Sequence, residues 1–294
     1  MAEFAVDWVD AFSARPFGGN GCAVVHDAAR LDDETCMAFV RETSLVECTF
    51  LGPSERADLR VRYFLASGEI PFAGHPTVAS VASLLHRGLA QPGPLVLETG
   101  AGLVPVEASR DETGIGVSMT QVAPRFGPEV PREMVAAALS LRPEDILAPP
   151  EIVSTGLPFC ITLLGDVDTA LRARLDVPAL EAMMRHLGAG PGEMSEPYII
   201  VRQGMTEAGD TFGRLLLPPP NPPEDAFTGS ATGAAAAWLW HHGLIDSPRY
   251  TAEQGHGMGR PGSAEVEVLG PPEAITGVRV AGQAHVLMSG TLHL

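Results

Sequence analysis

The chain opens with "FAVDWVDAF", in which apolar and polar positions alternate with the period of a half-buried strand. "SARPFGGNG" breaks the alternation with glycine, proline and asparagine and predicts a turn, and "CAVVHDA" predicts the returning strand. "DDETCMAFVRET" begins on aspartates able to cap a helix and continues with apolar residues at helical spacing. Strands follow at "VECTFLG" and "LRVRYFL". A helix over "HPTVASVASLLHRGL" is ended by Gly88, and strands follow at "PLVLETG", "GLVPVEA" and "GIGVSMT". "VAPRFGP" has the composition of a linker. Beyond it the pattern predicts a helix at "PREMVAAALSL", a strand region at "EIVSTGLPFCITLLG" and a helix at "VPALEAMMRHLG". Strands at "EPYIIVRQ" and "RLLLPPP", a helix at "TGSATGAAAAWLWHHGLI" and strands at "AEVEVLG" and "ITGVRVAGQAHVLMSGTLHL" complete the chain.

One order occurs twice: strands, a helix, strands, a glycine-initiated helix, strands. The expectation is an α+β protein of two similar halves, residues 1–124 and 125–294, with the last strand free to cross back to the first half. The glycine-initiated helices start in "EIPFAGHPTVAS" and "DAFTGSATGAAAAW". Their glycines, Gly74 and Gly229, stand 155 positions apart in 294 residues. A helix N-terminus exposes unpaired N–H groups and partial positive charge, and glycine lets a ligand come close to the backbone. Singly, each turn reads as a well-capped helix in an alanine-rich core. At matched positions, the pair reads better as two sides of one cleft holding a carboxylate or an enolate-like charge. His75 at the positive end of its helix is expected to stay neutral and able to relay a proton. Pro76 fits a first helical position.

Net charge is −17. This argues against nucleic acid or an anionic membrane surface as partner, but not against a small anion held by local donors. Cys22, Cys36, Cys48 and Cys160 form no C-x-x-C pair and stand at no metal-ligand spacing from a histidine, so free thiols and no metal are expected. No signal peptide and no run of about 18 apolar residues is visible, and a cytoplasmic location is the default expectation. His241 and His242 suit a helix end better than a metal. The glycine-rich "EQGHGMGRPG" lacks the lysine and context of a phosphate loop and reads as a tight loop near the site.

"DAFSARPFGGNGCAVV", "LVECTFL", "GEIPFAGHPTVAS", "EDAFTGSATGAAAAW" and "EQGHGMGRPGSAEVEV" together resemble, in this order, the PhzF-like proteins of the phenazine biosynthesis isomerase family. The resemblance spans almost the whole chain. It implies the diaminopimelate epimerase fold, two pseudo-symmetric α+β halves with the site in the cleft between them. It also implies a homodimer and a proton shift that uses no cofactor. The family's catalytic glutamate falls on Glu47 in "VECTF", its histidine on His75, and its aspartate and serine on Asp225 and Ser230. Gly21, Ala226 and Cys48 depart from the family pattern. The strings do not fix the substrate.

Abstracting a proton from carbon needs a positioned base and a way to spread the resulting charge. Glu47 lies between apolar segments in "SLVECTFL", where desolvation would raise its pKa. Alternation places Glu47 and Thr49 on one face and Cys48 and Phe50 on the other, without deciding which face meets a cleft. Glu42 reads as a solvated charge. Epimerases of the resembled fold use a thiol at each glycine turn. Ala73 and Thr228 hold those places here, which disfavours a two-thiol reaction. The sequence thus predicts a cofactor-free isomerase acting on a small carboxylate. Glu47, His75 and Asp225 are its catalytic candidates, and Asn20, Gly74, Gly229 and Ser230 its substrate contacts. A racemase or epimerase of the same fold and a non-catalytic metabolite-binding protein are the alternatives.

Overall fold

The computed structural model describes residues 2–112, 114–188 and 195–294. The first half runs β1 (Glu3–Ala11), β2 (Asn20–Val25), α1 (Asp33–Thr43), β3 (Cys48–Gly52), β4 (Leu59–Leu65), β5 (Gly68–Ile70), α2 (Gly74–His86), β6 (Gly93–Thr99), β7 (Gly102–Asp111) and β8 (Gly114–Gln121). The second half runs β9 (Arg125–Glu129), α3 (Arg132–Ala138), β10 (Glu151–Ser154), β11 (Pro158–Leu163), α4 (Val167–Arg172), α5 (Val177–Leu187), β12 (Pro197–Val201), β13 (Thr211–Leu216), β14 (Glu224–Asp225), α6 (Gly229–His241), β15 (Arg249–Gln254), β16 (Gly262–Leu269) and β17 (Gly277–His293).

The pairings repeat strand for strand. β1 and β2 are antiparallel, as are β10 and β11. β2 lies parallel to β3 after the α1 crossover, and β11 parallel to β12 after α4 and α5. β4 lies parallel to β6 across α2, and β13 parallel to β15 across α6. Parallel neighbours need such crossovers, which is why each half carries its helices between strands.

Each half surrounds one helix. From Gly74 to Leu85 every residue of α2 is buried, and from Gly229 to Leu239 every residue of α6. A helix without a polar face belongs in a core. α2 packs Val78, Val81 and Leu85 among strands of the first half, and α6 packs Ala231, Ala235 and Trp238 against β10 to β13. No helix among the described residues is long and apolar enough to cross a membrane.

The segment expected as a linker, "VAPRFGP", contains β9. Arg125, Phe126 and Glu129 pair with β10. Gly127 and Pro128 gave the misleading signal. They are tolerated because β9 pairs on one side only, where a missing N–H costs no ladder bond. The symmetry explains why a strand stands there. β17 pairs with β16 and β8 along its first part and with β1 along its second. β8 pairs with β7 in its own half, and the chain then continues as β9 onto β10. The second half therefore sends its last strand onto the first, where it meets β1 and β8. The sequence pattern also passed over β15, which pairs with β13 and β16.

Candidate active site

The two glycine turns meet. A Cβ added to Gly74 would lie 3.1 Å from the nitrogen of Ser230 and 3.3 Å from the Cα of Gly229. A Cβ on Gly229 would lie 2.8 Å from the ring of Phe12. Only bare backbone lets the ends of α2 and α6 come this close. Ala73 and Thr228 are the N-cap residues. Neither side chain caps its helix, and neither first turn holds an acid. The first N–H groups of both helices thus keep no intrahelical partner and carry the positive ends of two dipoles. Pro76 is the third residue of α2, not the first. It still removes an N–H that the helix would leave unpaired.

Glu47 sits just before β3 and is buried. The register settles its face: Thr49 accepts a hydrogen bond from Ser80 of α2, whereas Cys48 and Phe50 pack with Cys36 and Val40 of α1. Glu47 therefore turns toward the α2 side, and Cys48 away from it. The Oε2 of Glu47 lies 3.6 Å from Nδ1 of His75. Glu47 Oε2 and His75 Nε2 are both buried without a hydrogen-bond partner.

Behind them stands Asn20, 3% exposed. Its Nδ2 is 2.6 Å from Asp225 Oδ1, 2.9 Å from the carbonyl of Phe227 and 3.0 Å from His75 Nδ1. An amide nitrogen has two hydrogens and accepts nothing. Asp225 and Phe227, the closer two, take them, and Nδ1 of His75 is left facing Glu47. Thr228 donates to the other oxygen of Asp225 at 2.5 Å. Gln254 fixes this corner from β15, donating to the backbone carbonyl of Asp225 at 2.8 Å and accepting from the N–H of Thr228 at 3.1 Å.

Burial dominates the electrostatics. It holds Glu47 well above the usual carboxylate range, and the negative charge of Asp225 adds to the rise. It pushes Asp225 up to about 6, against the pull of the Thr228 and Asn20 hydrogen bonds. His75 is lowered to about 3 by desolvation. Loss of water on burial thus favours the neutral imidazole.

A cavity of about 720 Å³ lies between the halves. Glu47, Gly74, His75, Asp225, Gly229 and Ser230 all border it, as do Ala73 and Thr228. Of the three catalytic candidates and four substrate contacts expected from the sequence, Asn20 alone stands behind the wall rather than in it. Gln254 and Thr228 were missed as supports of Asp225. Gln254 lies 29 positions from Asp225, with no local pattern linking the two. The glycine-rich loop closes beside this corner. At Gly255, with φ +82°, a Cβ would strike the carbonyls of Ala226 and Arg260. Arg260 in turn donates to the carbonyls of Gly18 and Gly19, next to Asn20.

The remaining candidates lie elsewhere. The four cysteines are free and buried. Glu42 is exposed. His241 and His242 are exposed at the end of α6. No companion carboxylate is expected for them from the sequence, yet Nε2 of His242 meets Glu151 at 2.9 Å, because β10 runs beside that end. Among the described residues no three histidine, cysteine or acidic side chains gather as a metal site.

A family model described as phenazine biosynthesis-like protein matches residues 9–290. The uncharacterized isomerase YddE of Salmonella typhimurium is 35% identical over 294 residues, covering 95% of each chain. The trans-2,3-dihydro-3-hydroxyanthranilate isomerase of Pseudomonas aeruginosa is 31% identical, with 97% of this chain and 98% of that one covered. The solved structure of a PhzF-family phenazine biosynthesis protein from Bacillus anthracis superposes with a TM-score of 0.87 at 25% identity over all of both chains. The two-half α+β fold that the resemblance implied is borne out by this likeness.

Proposed function

The chain belongs to the phenazine biosynthesis-like family and is an isomerase of that type; from this premise we propose that it shifts a proton on a small carboxylate-bearing molecule without a cofactor, with Glu47 as acid and base. One observation carries the reading. Glu47 Oε2 and His75 Nε2 are partnerless polar atoms bordering a cavity into which two uncapped helix ends point. The substrate carboxylate lies against the N–H groups of those ends with the hydroxyl of Ser230 beside it. Glu47 removes a proton from a neighbouring carbon. The electron pair spreads into the carboxylate, where the helix ends stabilise it. Glu47 then delivers a proton to another carbon of the conjugated system, so the composition of the molecule is unchanged. A raised pKa suits a group that must both take and return a proton. His75, neutral, orients Glu47 or the substrate, and Asp225 holds the other end.

Ala73 and Thr228 at the two N-caps favour this one-carboxylate shift over racemisation by paired thiols. The reading includes a cytoplasmic homodimer, whose mass light scattering would give.

The test uses trans-2,3-dihydro-3-hydroxyanthranilate, the compound named for the Pseudomonas aeruginosa relative, with related cyclic unsaturated acids, in deuterium oxide. Isomerisation or deuterium uptake at carbon is expected with the wild type. Glu47→Gln, unchanged in circular dichroism, should lose at least about a thousandfold, within the range for removing an acid–base group. Normal turnover by that variant overturns the mechanism. Tight binding with no exchange would make the protein a metabolite-binding one.

A further inference from the structure

A glycine inside a buried helix weakens it relative to alanine. Gly233 is such a residue, one turn into α6 and on the same face as Gly229. A Cβ there would collide with the side-chain amide of Gln121, coming within 2.8 Å of its Nε2 and closer still to its Oε1. Gln121 is the last residue of β8 and 5% exposed. A side chain of the first half thus lies against the first turn of the second half's central helix. Four residues after Gly74, the matching place in α2 is taken by Val78, packed in the apolar core.

The hydrogen bonds fix how that amide is turned. Its Nε2 is 2.8 Å from the carbonyl of Gly229. A carbonyl can only accept, so Nε2 donates, and Oε1 faces the hydroxyl of Thr155, which donates to it at 2.5 Å. Thr155, also buried, sits in the turn between β10 and β11. The carbonyl of Gly229 and the N–H of Ser230 belong to one peptide group. That group is planar, with the two bonds pointing opposite ways. Whatever holds the carbonyl therefore aims the N–H.

We propose that Gln121 is a positioning residue. It grips the carbonyl of Gly229, aims the N–H of Ser230 and ties the start of α6 to the half that carries Gly74. Thr155 keeps its amide from turning over, and position 233 is glycine to admit it. The consequence for chemistry rests on the reading that the helix ends hold the carboxylate.

The test is made on the whole protein by NMR, with acetate as the probe. A nuclear Overhauser effect is expected in the wild type between the α-protons of Gly74 and the amide proton of Ser230, since a Cβ on Gly74 would stand 3.1 Å from that nitrogen. Gln121→Ala should lose most of it. The same variant should weaken acetate, followed at the Ser230 amide, about fivefold, within the range for residues that act on a ligand they do not touch. Gly233→Ala should do the same, because its methyl drives the amide off Gly229. Added to Gln121→Ala it should do no further harm, the coupling of two residues that share one space. Thr155→Val should shift both readings in the same direction, and Thr155→Ser should match the wild type. The threonine pair carries the test if a melt shows that Gly233→Ala does not fold. Additive losses from the two substitutions, or variants that melt lower while the Overhauser effect and acetate affinity stay unchanged, would overturn the proposal. If the Overhauser effects follow the expected order but acetate does not bind the wild type, the helix-end reading falls and the positioning role stands.

Discussion

A methyl group on Gly74 would stand 3.1 Å from the backbone nitrogen of Ser230, tighter than ordinary contact. The two helix ends approach this closely only because positions 74 and 229 carry no side chain. Gly74→Ala should push them apart by a few tenths of an ångström. The residue is not at positive φ, and alanine favours a helix over glycine by roughly 0.5–1 kcal/mol. The thermal midpoint should therefore move by only a few degrees, the scale of about 1 kcal/mol, while kcat/KM falls at least tenfold. Unchanged kinetics would show that the spacing of the helix ends does not matter.

Ser230 borders the cavity at the start of α6. Ser230→Ala should raise KM about tenfold, the scale of one hydrogen bond to a charged group. Urea unfolding should barely change, because no hydrogen bond found among the described residues uses that hydroxyl. A larger effect on unfolding than on KM would assign the serine to folding.

Asp225 gives a pH dependence of definite sign. Its folded pKa is raised to about 6 from 3.8. The native state therefore holds this proton more tightly than the unfolded chain does. The resulting stability is present below about pH 4 and is lost as pH rises through about 6. Asp225→Asn removes that loss. From pH 4 to pH 7 the variant should gain on the wild type by on the order of 2 kcal/mol, read from urea midpoints. Asp7, lowered to about 2 and held by Arg87, works in the opposite sense in both proteins and cancels in the difference. A difference that stays flat with pH would mean that Asp225 is not held in its protonated form.

Cys48 neighbours Glu47 in sequence but faces α1, and burial pushes its thiol up to about 12. Cys48→Ala should keep kcat within about twofold and lower stability by about 1 kcal/mol through the small cavity it leaves. Alkylation of the native protein should be slow, since all four thiols are buried. Loss of turnover without loss of stability would put the thiol in the chemistry.

The sequence by itself determined the local elements and the repeat. Alternation, capping aspartates and glycine turns are short-range signals, and they located β1, α1, α2 and α6 from a few neighbouring residues each. They also marked Gly74 and Gly229 as matched positions. What the sequence left open depends on contacts between distant residues. The face of Glu47 was ambiguous because a strand has two, and only the packing of α1 on one side and α2 on the other chooses between them. β9 looked like a linker because its glycine and proline are turn formers. It is a strand because β10 offers it an edge. His242 finds its acid 91 positions back along the chain, where β10 supplies Glu151. Asn20 and Asp225 lie 205 positions apart, yet a 2.6 Å hydrogen bond joins them. No local preference encodes that bond. It forms because two halves built on the same pattern close on each other, and the polar atoms buried by that closure must find partners across it.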